Sequence, residues 1–346
     1  TRGIVATTFL TVNDQWLTQL AVLIVSGQLI FKASDVFDLW FQSQIKSKYP
    51  VRIRIAAITL YCGGQVGFIL LGLPVLAFVG LYVSQMALQA GGTYLIYRWV
   101  RESERPNWRF DWRTAKSMLN DSWPLIFASL SIAVYMKIDQ VMLGQMSGET
   151  AVGVYATAVK LSEMWYFIPT AIAGSVFPKI VSSKENATRS VHKQRMQALY
   201  DLAVLVSYTV IVPVSLLASP IVLILFGEAF ADSAAILVVH IWAFLFVALG
   251  VVRSRWLVAE NFTHFAMLAA IFGAISNVGM NWLLIPGYEG VGAAWATLLS
   301  QVLSTYVSGL FYQPIRSAFA QMTRSIVIIF RLRSALNGIK NVMNAD

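Results

Sequence analysis

Lys137 and Asp139 stand two positions apart inside an otherwise apolar run, SIAVYMKIDQVMLG (131–144). Lys160 and Glu163 stand in the next apolar run, ETAVGVYATAVKLSEMWYF (149–167). Ammonium and carboxylate groups in such surroundings can recognise anions, hold a proton or cation, or pair helices with one another. Each costs about 2.5–3.5 kcal/mol at the centre of a membrane helix unless it is paired or wetted. Lys160 and Glu163 are i, i+3 neighbours and can pair on one helix face. Lys137 and Asp139 point roughly 200° apart and cannot satisfy each other. At least one of them must meet a cavity or another partner, and Lys137 is the expected one. His240, Asn277, Asn281 and Gln301 are polar residues at comparable positions in later apolar stretches. Two readings stay open: a closed, neutral network between helices, or a wet cavity in which Lys137 or Lys160 receives an anionic group. Intramembrane ionisable groups favour the second. The candidate cavity residues are Lys137, Asp139, Lys160, Glu163, His240, Asn277 and Asn281.

The elements that must position these groups follow from composition. Of the 346 residues, 57% are hydrophobic and 12% charged, about half the charged fraction of a soluble domain. The mean hydropathy is +0.65. The chain is therefore expected to lie in a bilayer, as an all-α bundle, because helices satisfy their own backbone in lipid. Hydropathy places nine spans near 15–32, 52–71, 74–97, 118–143, 151–176, 198–226, 233–252, 262–284 and 290–312. Pro169 and Pro213 are candidates for kinks. The first hydrophobic stretch, GIVATTFLTV, is too short to span and reads as part of a helix whose beginning is missing.

Most of the 26 basic residues fall in alternate connections: 33–54, 98–117, 177–197, Arg253 with Arg255, and the tail. The intervening turns carry only acids, among them Glu149, Glu228 and Glu289. This pattern sets the basic side and the C-terminus in the cytoplasm. The charge then faces anionic lipid headgroups rather than nucleic acid. The Arg- and Trp-rich segment RWVRESERPNWRFDWR (98–113) reads as an interfacial linker. In the tail, Met322, Ile326, Ile329, Leu332, Leu336, Ile339 and Met343 make a helical stripe with Arg324, Arg331 and Lys340 off it, which suits a basic helix on the inner surface. The sequons at Asn120, Asn186 and Asn261 all fall on the cytoplasmic side and read as chance. Cys62 is the sole cysteine, and His192, His240 and His264 are scattered, so no disulfide, metal cluster or cofactor is expected. No paired carboxylates or nucleophilic triad appear, so no catalytic residue is assigned.

SDVFDLWFQSQIKSKY (34–49), residues 135–180, LFGEAFADSAAILVVHIWAF (225–244), SRWLVAEN (254–261) and IPGYEGVGAAWATLLSQ (285–301) together resemble the O-antigen type polysaccharide flippases of the multidrug/oligosaccharidyl-lipid/polysaccharide exporter superfamily. The resemblance implies a two-lobed helical transporter: residues 1–97 as the end of the first lobe, 98–114 as the inter-lobe linker, 115–312 as a six-helix second lobe and 313–346 as a cytoplasmic tail. It also implies three further helices ahead of residue 1. The implied substrate is a polyprenyl-pyrophosphate-linked oligosaccharide, moved to the outer leaflet of a bacterial or archaeal cytoplasmic membrane, with polysaccharide polymerase and export machinery as further partners. Under it, DLWFQSQIKSKY looks like an inner gate, with Trp40, Gln42, Lys46 and Lys48 as its residues, or equally like an amphipathic connector anchored by Trp40 and Tyr49. The rival functions are an ion-coupled multidrug/cation antiporter of the same superfamily and, further off, a membrane glycan polymerase or ligase.

Overall fold

The structure is a computed structural model that describes residues 15–44, 46, 48–100, 109–182 and 189–343. The expected partial helix before residue 15, residues 101–108 of the basic linker, and residues 183–188 with the Asn186 sequon lie outside the described residues. The described residues fold as helices joined by short turns, with no strand among them. Packing divides the chain into two units, Thr1–Arg109 and Phe110–Asp346.

The first unit contains α1 (Gln15–Ser26), α2 (Gln28–Lys32), α3 (Asp35–Ser43), α4 (Lys48–Leu70) and α5 (Val75–Val100). α4 and α5 form an antiparallel pair. A Cβ on Gly92 would come within 2.8 Å of Ile53, and one on Gly64 within 3.0 Å of Leu81, so both glycines permit close approach. α3 is short and amphipathic and lies across the end of this pair. Trp40 and Phe37 pack on Tyr97 with ring centroids 4.9 and 4.8 Å apart, and Phe41 is fully buried. Arg54 reaches back to Asp38 at 2.7 Å.

The second unit contains α6 (Trp112–Tyr135), α7 (Ile138–Ser147), α8 (Glu149–Glu163), α9 (Phe167–Ser182), α10 (Arg189–Leu216), α11 (Ala218–Phe226), α12 (Ser233–His240), α13 (Ala243–Ala259) and α14 (Thr263–Gln301). A wide π-helical turn (Val302–Val307) leads into α15 (Ser308–Phe311), followed by α16 (Arg316–Ile326) and α17 (Leu332–Met343). Asp111 caps α6: its carboxylate accepts from the Arg113 and Thr114 amides at 3.2 and 3.1 Å. With the bond from the Thr114 hydroxyl foremost, these contacts hold the Asp111 carboxyl below the usual aspartate range.

Among the described residues, five helical stretches are each long and apolar enough to cross a membrane: Lys48–Leu70, Trp112–Ser147, Ser190–Leu216, Ser233–Ala259 and Thr263–Phe311. The nine stretches expected from hydropathy fall on single helices or on helix pairs separated by a break. The eighth and ninth are instead the two arms of α14. The chain reverses at Glu289, whose φ of +46° is a strained conformation for a side chain with Cβ. Gly292 tolerates the reversal because a Cβ there would meet the Leu284 carbonyl oxygen at 2.4 Å.

Pro169 sits in the first turn of α9 and Pro213 in the last turn of α10. Both therefore mark helix ends beside a break rather than a mid-helix kink. The tail is not one helix. Ile328–Arg331 form a tight 3₁₀ turn between α16 and α17, which buries Ile328 and exposes Ile329, a member of the expected stripe. The one-helix expectation fails because that turn resets the helical phase.

Candidate functional site

Three helix breaks in the second unit lie beside Lys137, Glu163 and His240: Met136–Lys137 between α6 and α7, Met164–Tyr166 between α8 and α9, and Ile241–Trp242 between α12 and α13. Broken helices in a membrane protein free backbone groups and commonly line ion or substrate paths. Here the breaks turn side chains of different helices toward one another.

Asp139, in the first turn of α7, is 3% exposed and is held by neutral donors alone. Tyr155 Oη of α8 donates to Oδ2 at 2.9 Å, and Asn281 Nδ2 of α14 donates to Oδ1 at 2.6 Å. The Thr297 hydroxyl, on the other arm of α14, also donates to Oδ2. That hydroxyl has one proton for two acceptors, the second being the Ala293 carbonyl at 3.1 Å. Asn281 Nδ2 also reaches Asn277 Oδ1 at 3.1 Å, which leaves Asn281 Oδ1 buried without a partner. Among the described residues no lysine or arginine pairs with Asp139. The outcome is a buried polar cluster around one ionisable carboxyl group. Asn281 enters it through Nδ2, an N–H donor; with that amide turned, the atoms facing Asp139 would all be oxygens, a set that suits a hard monovalent cation. Turning the Asn281 amide would bring the orphaned Oδ1 into the same shell.

The other expected site residues divide into two groups. His240, 3% exposed, shares a hydrogen bond with Ser162 Oγ at 3.0 Å and stands edge-on to Tyr155, so it locks α12 to α8. Asn277 and Asn281 are fully buried in the Asp139 cluster. These residues form a hydrogen-bonded network buried between helices. Lys137 takes the opposite position. Its side chain is 62% exposed and lies 3.6 Å from Glu163. The i, i+3 pairing expected between Lys160 and Glu163 is replaced by this inter-helix pair, because Glu163 ends α8 at the break that faces Lys137. Lys160 is exposed and makes no ion pair among the described residues. In the first unit, Trp40 belongs to the aromatic cluster that anchors α3. Gln42 and Lys46 are exposed, and Lys48, also exposed, lies over the Tyr49 ring at 5.1 Å.

An open cavity lies elsewhere in the second unit, between α6, α9, α13 and α14, with a volume of about 380 Å³. Its lining has two cations, Arg253 and Arg255, and no carboxylate. Arg253 is buried, and its position follows from the π-helical turn. The wider winding there brings two carbonyls and a hydroxyl within reach of the guanidinium. Nη2 donates to the Ser304 carbonyl at 3.0 Å, and Nη1 donates to Ser308 Oγ at 2.9 Å and to the Thr305 carbonyl. Arg255, two residues on, is exposed. Gln301, one helical turn from Thr297, donates to Tyr135 Oη at 3.1 Å, and both line the cavity. The cavity therefore abuts the Asp139 cluster across a single turn of α14. Charge placement alone had assigned Arg253 and Arg255 to the lipid-facing basic set. The missed signal is their location after twenty residues (233–252) without Asp, Glu, Lys or Arg.

A helical, multi-pass membrane protein of the transporter type is what this fold and this pairing of a cationic cavity with a buried oxygen cluster define. The family model described as polysaccharide biosynthesis protein matches residues 13–235, and the one described as lipid II flippase MurJ matches residues 149–343. The chain belongs to the polysaccharide biosynthesis protein family, within the wider group of flippases that includes the MurJ type. Curated relatives include the probable low-salt glycan biosynthesis flippase Agl15 of Haloferax volcanii, 23% identical over 243 residues, 68% of this chain and 50% of that protein. The probable flippase AglR of the same organism is 27% identical over 186 residues, 50% of this chain and 37% of that protein. The capsular polysaccharide biosynthesis protein CapF of Staphylococcus aureus is 20% identical over 192 residues, 56% of this chain and 48% of that protein. The chain thus spans half or less of the length of these relatives. Among solved structures, the lipid II flippase MurJ in an inward closed conformation matches with a TM-score of 0.59 at 15% identity, covering 94% of this chain and 72% of that one. This likeness concerns the fold.

Proposed function

We propose that the protein is part of a flippase for a lipid-linked oligosaccharide, a polyprenyl-pyrophosphate glycan carried from the cytoplasmic to the outer leaflet by alternating access. The observation that carries this reading is the cavity at Arg253 and Arg255. Two cations and no acid in a membrane-embedded recess suit a pyrophosphate, and the neighbouring Ser129, Thr170 and Gln301 suit sugar hydroxyls. The named flippases among the relatives support it. The antiporter and the glycan polymerase are not favoured. In this reading the basic connections and the C-terminus face the cytoplasm. Residues 98–114 link two lobes, α3 with Trp40, Gln42, Lys46 and Lys48 guards the inner side, and the polymerase and export machinery act on the product.

The Asp139 cluster supplies the coupling. Asp139, Asn277, Asn281 and Thr297 would hold a monovalent cation, which neutralises the carboxylate and ties α7 to both arms of α14. Residues of one such cluster that differ in their contacts between two lobe arrangements can bias the exchange between them.

The test expresses the complete gene in a cell that lacks its own polysaccharide flippase. Arg255→Gln is expected to abolish surface polysaccharide at unchanged membrane abundance, with partial recovery in Arg255→Lys. Full export by Arg255→Gln would reject the cavity as the pyrophosphate site. Drug resistance conferred with no effect on glycan export would reinstate the antiporter.

A further inference from the structure

A second polar cavity, of about 610 Å³, lies where α16 and α17 fold back against the first half of α10. It shares no lining residue with the cavity at Arg253. Its cations are Lys193, Arg324 and Arg331, and its one carboxylate is Asp201. Arg331 is spent on Asp201, so the cavity keeps two uncompensated positive charges. Among the described residues neither Lys193 nor Arg324 makes an ion pair. Gln197 also lines the cavity. Its Nε2 bonds Asp201 Oδ1, Ser325 Oγ and the Gln321 carbonyl at 2.8–3.1 Å, while its Oε1 is buried with no donor among the described residues.

The cavity continues into a shallower recess through shared Arg331, Ser334 and Asn337. The lip of that recess is the 3₁₀ turn, whose Ile329 and Phe330 are 73% and 90% exposed. Two uncompensated cations in a polar hollow, continuous with a bare apolar wedge, match a molecule with a phosphate and a hydrocarbon chain.

We propose that this hollow binds an anionic glycerophospholipid. The phosphate lies between Lys193 and Arg324, and the acyl chains run along Ile329 and Phe330. The lipid fastens the α16–α17 hairpin to α10 and so makes the packing of the tail depend on membrane composition. A free phosphate would leave the apolar lip unused, and this continuity selects the lipid. The inference is independent of the glycan that is moved.

The test measures binding of a fluorescent phosphatidylglycerol to the purified protein in neutral micelles. The double variant Lys193→Gln, Arg324→Gln is expected to lose about 30-fold in affinity, from about fivefold per cation near an anionic headgroup. The charge-matched control Lys116→Gln, Lys340→Gln, outside both recesses, is expected to stay within about twofold. If the double variant melts early, Lys193→Gln alone removes only an exposed head and keeps the backbone bond to Gln321 at 2.8 Å, and about fivefold is expected. Equal losses in the control, equal binding of phosphatidylcholine, full displacement by millimolar inorganic phosphate, or tighter binding of a polyprenyl pyrophosphate through the same two residues would each overturn the proposal.

Discussion

Asp139 and Asp201 are buried to nearly the same degree, 3% and 2% exposed, yet they are compensated by different means. Asp201 sits on α10 and meets a guanidinium, Arg331, with Ser325 at 2.6 Å and Gln197 at 2.9 Å completing its shell. Among the described residues Asp139 meets Tyr155, Asn281 and Thr297, all of them uncharged. A carboxylate with its own cation is finished, and its role is to hold the tail hairpin in place. A carboxylate given hydrogen bonds without a cation is costly as an anion in a low-dielectric setting, and taking up a proton or a cation relieves that cost. The contrast separates a structural ion pair from a buried carboxyl group held by neutral donors.

The largest expected effect is on the finished side. Asp201→Ala strands Arg331, which is expected to cost about 3–5 kcal/mol. Urea unfolding in micelles would measure it, and trypsin should then cut within α16 and α17 far faster. A loss below about 1 kcal/mol would place Asp201 beside Asp139 and erase the contrast. Next is the cation response. Sodium at 100 times its dissociation constant should stabilise the wild type by about 2.7 kcal/mol. Asp139→Asn keeps the shape, removes the charge and should abolish this gain. A sodium response that survives in Asp139→Asn would sink the ion-site reading.

Arg253 gives a third comparison, as a buried cation that meets carbonyls in place of an acid. Arg253→Lys keeps the charge but loses the planar fork; the Ser304 carbonyl keeps the Ser308 hydroxyl, so about 1 kcal/mol should be lost for the missing bond. Thermal unfolding of the purified variant measures it, and no change would mean that the π-helical turn is stable unaided. The smallest effect belongs to the pair at the surface. Lys137→Ala removes a partly exposed ion pair worth about 1 kcal/mol or less. It should leave both the melting point and the sodium response nearly intact. A large loss of the sodium response in this variant would show that Lys137, and not the Asp139 cluster, governs the site.

The helical membrane class, the apolar stretches and the concentration of unusual charges on 137–163 could all be read from residue type and spacing. Helical spacing correctly ruled out a bond between Lys137 and Asp139, because that rule concerns one helix. The same local rule misdirected the reading at Lys160 and Glu163. It assumed an unbroken helix with no competitor, and the break at Met164–Tyr166 presents Glu163 to Lys137 on another helix. The Arg253 site was hidden because an arginine near the end of a span reads the same way whether it faces headgroups or caps a π-helical turn. The tail's regular stripe concealed the 3₁₀ turn, since a turn of four residues changes phase without changing composition.

The sequence by itself determined that the chain must be helical and lipid-embedded, because only internally bonded backbone is tolerated in hydrocarbon. It also determined where charge would be costly. Only the tertiary structure decided which charges are compensated and by what. Asp139 finds its partners 16, 142 and 158 residues away, and Asp201 finds Arg331 130 residues away. Periodicity describes neighbours on one helix, whereas these contacts come from the crossing of different helices and from the breaks that turn their side chains inward.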